Sequence, residues 1–294
     1  MRFTVVTASY NQGPFIRNCI QSVQAQSAEN PSIELEHIIV DACSTDETLS
    51  ILKQYPHLKW ISEPDKGQSD AINKGVGMAA GDWVIWLNAD DFLLPGGLRA
   101  ILERMHAKPS RNVFYGHMML VGGDGLPVRP LFCVRYRPAM TQYGLCLAPT
   151  SGTVFKTSLL RENPLDESYH YVMDTEWFLR TGAQVRACAV QAFTVAFRVW
   201  AQSKTGPLTM GGGIPQKHLQ ERIRYTERHI LQRWPSWLRP WQAPLSKLVR
   251  LSLLPEYYFQ KIYALISQSL SNGISAATAD CARIARISVD PSEP

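Results

Sequence analysis

Hydrophobic periodicity in the first third of the chain switches repeatedly between two and 3.6 residues, and this switching constrains the fold more than any other feature. Phe3 to Thr7 is a short apolar, β-branched run that reads as a strand. Phe15 to Gln26 follows, with Phe15, Ile16, Cys19, Ile20 and Val23 at helical spacing. The pair then repeats as strand His37 to Val40 and helix Thr48 to Tyr55, strand Leu58 to Ile61 and helix Gln68 to Ala80, strand Trp83 to Leu87 and helix Gly96 to His106. Strands and helices alternating through short connections build a mainly parallel sheet with helices on both faces. Ligands of such sheets bind beyond the carboxyl ends of the strands. The segments of interest are therefore Ala8 to Asn11, Asp41 to Asp46, Glu63 to Gly67 and Asn88 to Asp91.

Beyond Lys108 the pattern loosens. Val113 to Val121 and Leu131 to Tyr136 read as strands around the turn Gly122 to Gly125, Asp174 to Thr181 as a helix, and Val185 to Val199 as strand. Ser203 to Gln216 is rich in breakers. Its run Gly211-Gly212-Gly213 reads either as a mobile loop over the site or as a plain linker. From Lys217 the chain turns helical and basic, with Trp234, Trp237 and Trp241, and its last dozen residues read as frayed.

Composition excludes several classes. With 294 residues, 45% hydrophobic and 19% charged, the chain can bury a sizeable core and is not disordered. A net charge of +5 favours anionic ligands or a membrane surface but is too small to argue for nucleic acid. The six cysteines, at 19, 43, 133, 146, 188 and 281, form no C-x-x-C and no zinc-spaced cluster, which reads as reduced thiols of a cytoplasmic protein. The start, MRFTVVTASYNQ, lacks the apolar core of a signal peptide, and no apolar run is long enough to span a bilayer. No G-x-G-x-x-G, G-x-S-x-G or H-x-x-x-H is present.

Three acidic clusters fall at predicted strand ends. In Asp41-Ala42-Cys43-Ser44-Thr45-Asp46-Glu47, Ser44 and Glu47 form a capping box, which leaves Asp41 free to face the crevice or merely to tighten the turn. In Glu63-Pro64-Asp65-Lys66-Gly67-Gln68-Ser69-Asp70, the proline ends the strand and Gly67 permits the turn. Asp65 and Asp70 serve equally as helix-start carboxylates, and Lys66 as a solvated charge. In Asn88-Ala89-Asp90-Asp91, two adjacent carboxylates repel each other unless a cation joins them, and hard ions such as Mg²⁺ or Mn²⁺ take oxygen ligands of this kind. A solvated turn before Pro95 is the competing reading.

Taken in order, these clusters closely resemble the inverting nucleotide-sugar glycosyltransferases of family 2. The matching stretches are Thr7-Ala8-Ser9-Tyr10-Asn11, Val40-Asp41 with Ser44 to Asp46, Glu63 to Gly67 with Asp70 to Gly75, and Asn88 to Asp91 with Leu94-Pro95-Gly96. Met173 to Trp177, and Phe197 to Val199 with Ser203-Lys204-Thr205, complete the match over roughly residues 3–205. The resemblance implies a GT-A-type, Rossmann-like α/β/α sandwich with a mainly parallel central sheet and a helical C-terminal extension. It divides the chain into a nucleotide-sugar half (1–110), an acceptor half (111–215) and a basic helical extension (216–294).

It further implies that Thr7, Ser9, Asn11, Asp41, Asp65, Lys66, Asp70, Asn88 and Asp90 hold the donor, with Asp41 on the base. Asp90 and Asp91 would carry a divalent cation, Mn²⁺ or Mg²⁺, and Asp174 would be the catalytic base. Two residues depart from the pattern: Asn88 replaces the first acid of the D-x-D, and Trp200 stands where many relatives have histidine.

The implied chemistry is coherent. A sugar hydroxyl attacks only as its proton is removed, which a carboxylate can do. The leaving nucleoside diphosphate gains charge that a cation stabilises. The expected partners are a nucleotide-sugar donor, UDP-linked, and a saccharide or lipid-linked acceptor. Residues 216–294 would provide a peripheral membrane contact on the inner face, because arginines and lysines there interleave with tryptophans and leucines. Two alternatives stay open, a nucleotidyltransferase and a non-catalytic sugar-nucleotide-binding protein. The first wants a basic residue in the loop after the first strand, and Ala8 to Pro14 has none.

Overall fold

Four parallel strands carry the first third of the chain: β1 (Arg2–Ser9), β2 (Glu34–Asp41), β3 (Lys59–Ser62) and β4 (Trp83–Trp86). The computed structural model describes residues 1–137, 150–204, 206, 213–249, 251–252, 255 and 268–289. Among these, nine strands form one mixed sheet, in the order β3-β2-β1-β4-β8-β6-β9-β5, with β7 pairing to β6 off this path. The remaining strands are β5 (Phe92–Leu93), β6 (Val113–Val121), β7 (Pro127–Leu131), β8 (Thr153–Lys156) and β9 (Ala187–Arg198). β8 runs antiparallel to β4 and β6, while β6 and β9 are parallel.

The helices include α1 (Gly13–Glu29), α2 (Thr48–Leu52), α3 (Gln68–Met78), α4 (Gly97–Ala107), α5 (Thr157–Glu162), α6 (Met173–Thr181), α7 (Gln216–Tyr225) and α8 (Gln268–Val289). β1 reads as a near-continuous apolar run because both its faces are covered. Ile16 and Ile20 of α1 pack with Ile39, Ile51 and Leu52. Ile72 and Val76 of α3 pack with Val6 and Val84. Each fully buried side chain of this kind stabilises the fold by about 1.5–3 kcal/mol. The layers therefore follow from the alternation of periods, and they bring the carboxyl ends of β1, β2 and β4 to one edge.

The structure differs from the sequence reading at several points. Ser44 caps no helix: α2 begins after Glu47, and the Ser44 hydroxyl turns back to Asp41. The strand expected at Leu131 to Tyr136 lies earlier, at Pro127–Leu131. Past Leu131 the backbone bonds to side chains instead of a strand. The Tyr115 hydroxyl donates to the Val134 carbonyl and accepts from the Tyr136 N–H, both at 2.7 Å, and the Cys133 N–H donates to His117 Nδ1. β5, β8 and α5 were not foreseen, being short and held by partners distant in sequence. Most of the Gly211 to Gly213 run, and residues 290–294, lie outside the described residues.

Residues beyond 215 pack onto the domain. Ala277 and Cys281 of α8 enter a cluster with Phe92, Met119 and Val121, and Asn18 Nδ2 donates to the Ile284 carbonyl. Glu221 of α7 accepts N–H groups from His170 (3.0 Å) and Tyr171 (2.7 Å). Among the described residues, no helix is long and apolar enough to cross a membrane.

Candidate active site

At the carboxyl ends of β1, β2 and β4 opens a crevice of about 920 Å³. Crevices that take drug-sized ligands span about 300–1,000 Å³. Its first wall is the loop after β1. Asn11 adopts a left-handed conformation (φ 51°), which asparagine tolerates better than most residues. Its N–H donates to Ser44 Oγ (2.8 Å), and its Oδ1 accepts the Thr45 N–H (2.8 Å), so the loops after β1 and β2 are bolted together. The buried Ser9 hydroxyl also lines the crevice and has no hydrogen-bond partner among the described residues. A buried polar atom left unpaired is costly unless a ligand completes it. Thr7 is fully buried beneath this wall, hydrogen-bonded to His37 Nε2 at 3.0 Å, and does not line the crevice.

Asp41 also lies beneath the wall. Its carboxylate is fully buried, taking the Ser44 N–H (2.9 Å) and the hydroxyls of Ser44 and Ser62 (2.5 and 2.8 Å). It holds Ser44, which in turn holds Asn11, while Ala42 and Cys43 form the wall itself.

Asp65 reaches the crevice, and its Oδ1 accepts the Gly67 N–H at 2.8 Å. Gly67 has φ +117°, and a Cβ there would lie 2.8 Å from His170 Nδ1, so this turn needs glycine. Asp70 and Lys66 do not line the crevice. The Asp70 carboxylate accepts the Lys66 N–H and pairs with Lys74. The exposed Lys66 ammonium pairs with Glu167 at 2.9 Å, which raises its pKa. Both residues shape the turn.

At the end of β4, Asn88 is fully engaged. Its Oδ1 accepts the Gln68 amide (2.8 Å) and the Trp86 indole (3.1 Å), and its Nδ2 donates to Asp91 (3.0 Å). Asp91, expected as a metal carboxylate, is turned inward, 1% exposed, with its Oδ1 on the Arg198 N–H at 2.8 Å. Desolvation, and the adjacent Asp90 after it, push its carboxyl pKa well above the usual range. Asp90 lines the crevice, and its Oδ2 accepts the Trp200 indole N–H at 3.1 Å. Its pKa is also raised by desolvation, opposed by that hydrogen bond. Among the described residues, no group of three His, Cys, Asp or Glu side chains converges on a metal-sized point.

The second half of the chain supplies Asp174, in the first turn of α6. The Thr150 hydroxyl donates to its Oδ2 (2.7 Å) and the Thr175 N–H to its Oδ1 (2.6 Å). The N–H groups of His170 and Tyr171, just ahead of α6, go to Glu221, and the N-cap residue Val172 supplies no side-chain cap. Glu176, the alternative base, is fully buried against Arg180 (2.8 Å) and His229 (3.3 Å) and does not line the crevice.

The structure thus gathers Ser9, Asn11, Asp65, Asn88, Asp90 and Asp174 around one crevice and leaves Thr7, Asp41, Lys66, Asp70 and Asp91 behind it. It adds Gln68, Trp86 and Thr150, which no local pattern marks. It also gives positions to Trp200 and to Lys204, whose ammonium meets Gln68 Oε1 at 2.8 Å and the His170 carbonyl at 3.1 Å.

Known proteins of similar sequence and fold are glycosyltransferases. The profile of glycosyl transferase family 2 matches residues 4–167. A glycosyltransferase of Mycobacterium tuberculosis is 30% identical over 183 residues, 60% of this chain and 67% of that one. The poly(ribitol-phosphate) β-N-acetylglucosaminyltransferase TarS of Staphylococcus aureus is 27% identical over 177 residues, 56% of this chain and 29% of that one. A Nostoc relative is covered over 53% of its length, so the chain spans about half the length of the relatives it matches. The solved TarS 1–349 complex with UDP-GlcNAc superposes with a TM-score of 0.57 at 15% identity, over 99% of this chain and 92% of that one. A Pyrobaculum calidifontis mannosyltransferase complex with GDP-Man and Mn²⁺ gives 0.55 at 18%, over 99% and 88%. These structural likenesses show a shared GT-A fold. With that fold, the profile match and the strand-end clusters in place, the chain belongs to glycosyl transferase family 2.

Proposed function

We propose that the chain transfers a sugar from a nucleoside-diphosphate donor, a UDP-sugar, to a saccharide or lipid-linked acceptor, with inversion, in the assembly of a cell-surface polysaccharide. The observation that carries this reading is the Asp174 carboxylate, held by Thr150 and by the Thr175 N–H of its own helix, in the same crevice as the strand-end residues Ser9, Asn11 and Asp90. TarS, solved with UDP-GlcNAc and named for a polymeric acceptor, supports the UDP donor and the saccharide acceptor.

Ser9 Oγ and the loop of Asn11 would receive the nucleoside, beside Asp65. The acceptor hydroxyl would enter beside Asp174, which takes its proton as the oxygen attacks the anomeric carbon. The bond to the diphosphate breaks on the opposite face, and its electron pair leaves with the phosphate. One carboxylate and one displacement give inversion.

Mn²⁺ accompanies the donor in one neighbour and UDP in another. The residues here fit such an ion poorly. Asp91 faces inward, the Asn88 carbonyl oxygen already accepts two N–H groups, and Asp90 Oδ2 is hydrogen-bonded to an indole. No step is assigned to a metal.

The test is a panel of nucleotide sugars scored by thermal stabilisation and by slow donor hydrolysis. A UDP-sugar is expected to stabilise the protein and release UDP; no stabilisation by any nucleotide sugar would overturn the reading.

A membrane contact is part of this proposal. Trp237 and Trp241 are 72% and 61% exposed, Leu248 and Leu251 are exposed, and Arg233, Arg239 and Lys247 lie among them. Aromatic and basic side chains together suit an anionic bilayer surface. The protein is expected to float with anionic liposomes and to lose this when Trp237 and Trp241 become serine. Equal flotation of the variant would remove the contact.

A further inference from the structure

We infer that Lys204 is the cation that faces the donor's diphosphate, in the role a divalent metal plays elsewhere, because Trp200 closes the metal position at Asp90. The inference rests on the donor reading above and concerns what balances the charge of the leaving group.

The first observation is the closure. An indole N–H can only donate, so Trp200 cannot be a metal ligand. It satisfies Asp90 Oδ2 at 3.1 Å. Its ring is packed on Phe15 with centroids 4.8 Å apart, and the Arg198 guanidinium lies over the Phe15 ring at 4.7 Å. A hard divalent ion wants about six oxygen ligands, two or more of them from protein or phosphate. Here the carboxylate expected to anchor it is half taken. Admitting an ion would expel the indole from its packing and leave its N–H unpaired.

The second observation is independent of the first. Lys204 stands in the same crevice, and its ammonium has no ion-pair partner among the described residues. Its two hydrogen-bond acceptors, the Gln68 amide oxygen and the His170 carbonyl, are neutral, and an ammonium has three donors. Lys204, Asp90 and Asp174 line the same crevice, and the two acceptors of Lys204 lie on either side of the interval between the end of β4 and the base: Gln68 donates to Asn88, and His170 precedes α6. That interval is where the bond from the anomeric carbon to the diphosphate must break. The proton of the acceptor hydroxyl goes to Asp174, the new C–O bond forms, and the electron pair of the old one goes to the terminal phosphate oxygen. That oxygen gains a negative charge, and the Lys204 ammonium, fixed by Gln68 and His170, would meet it with its remaining N–H.

Calorimetry on the full chain tests this, with UDP and GDP as probes and uridine and guanosine as phosphate-free controls. Native protein is expected to bind the diphosphate in excess chelator, and added Mn²⁺ should tighten binding by less than roughly threefold. Lys204→Met should weaken the diphosphate by roughly tenfold or more, the scale of a lost charge-assisted hydrogen bond, and leave the nucleoside unchanged. Unchanged nucleoside binding also reports that the variant is folded. Trp200→His, which restores a metal-ligating side chain beside Asp90, should acquire a Mn²⁺ response of roughly tenfold with Lys204 intact. A tenfold Mn²⁺ response of the native chain, or native diphosphate affinity in Lys204→Met, would overturn the inference. If neither diphosphate binds the native chain under any condition, the donor reading itself fails and takes this inference with it.

Discussion

Asp174→Asn is expected to fold and to bind the donor as the native chain does, and to turn over about 10²–10⁴-fold more slowly. Asparagine keeps the size of the side chain and one oxygen, so it can still accept from Thr150 or from the Thr175 N–H. It cannot take a proton. A role confined to the Thr175 N–H at the start of α6 would predict a near-normal rate, because asparagine still accepts that bond. Glu176→Gln gives the contrast. That carboxylate is buried against Arg180 and His229, so its loss should lower stability while spared enzyme keeps its rate. The checks are single-turnover transfer and thermal unfolding of both variants. A fully active Asp174→Asn beside a folded but dead Glu176→Gln would move the base to Glu176. Two active variants would place it elsewhere.

The second large effect is on stability. Arg198→Met should cost about 3–5 kcal/mol, the range for removing one partner from a buried charged network, and lower Tm by on the order of 10 °C. The guanidinium donates to the carbonyls of Asp90 (2.8 Å) and Gly123 (2.7 Å) and to Asn18 Oδ1 (3.3 Å), and it lies over Phe15 and Phe92. Methionine keeps most of the apolar volume and none of the donors. The loss should also depend on pH. Asp90 and Asp91 have folded pKa values raised by burial, so their contribution is fully present below the unfolded value, about 4, and falls as pH rises through the folded ones. Without Arg198 those values climb further, and the penalty should be larger at pH 8 than at pH 5. Equal penalties in a denaturant titration at both values would show that packing, not charge, dominates.

The alternating half of the fold was legible because each strand and helix there carries its own period. β6 was readable for the same reason. The short β5 and β8 were not, because their pairings with β9 and β4 join segments far apart in sequence. The site was legible as a place and only in part as a set of contacts. Acidic residues at strand ends lie along the edge where the crevice opens. Yet a carboxylate at such an edge can point into the crevice, as Asp90 does, or under it, as Asp41 and Asp91 do. The choice is made by Ser44, Ser62 and the Arg198 backbone, which only the folded chain brings near. Thr150 was invisible for the same reason, since a lone threonine has no pattern.

Glu221 has a consequence for where the working unit ends. The family profile stops at residue 167, short of Asp174, and a boundary at residue 215 would pass for the edge of the catalytic domain. The carboxylate that receives the main chain of His170 and Tyr171 comes from beyond both boundaries. A chain trimmed at 167 would lose Asp174 itself, and one trimmed at 215 would keep Asp174 and lose the carboxylate that holds the main chain just ahead of it. On the proposed reading, a fragment ending at 215 is a binder with a misaligned base, and a chimera that exchanges the C-terminal segment needs an acid at this position to keep Asp174 in place.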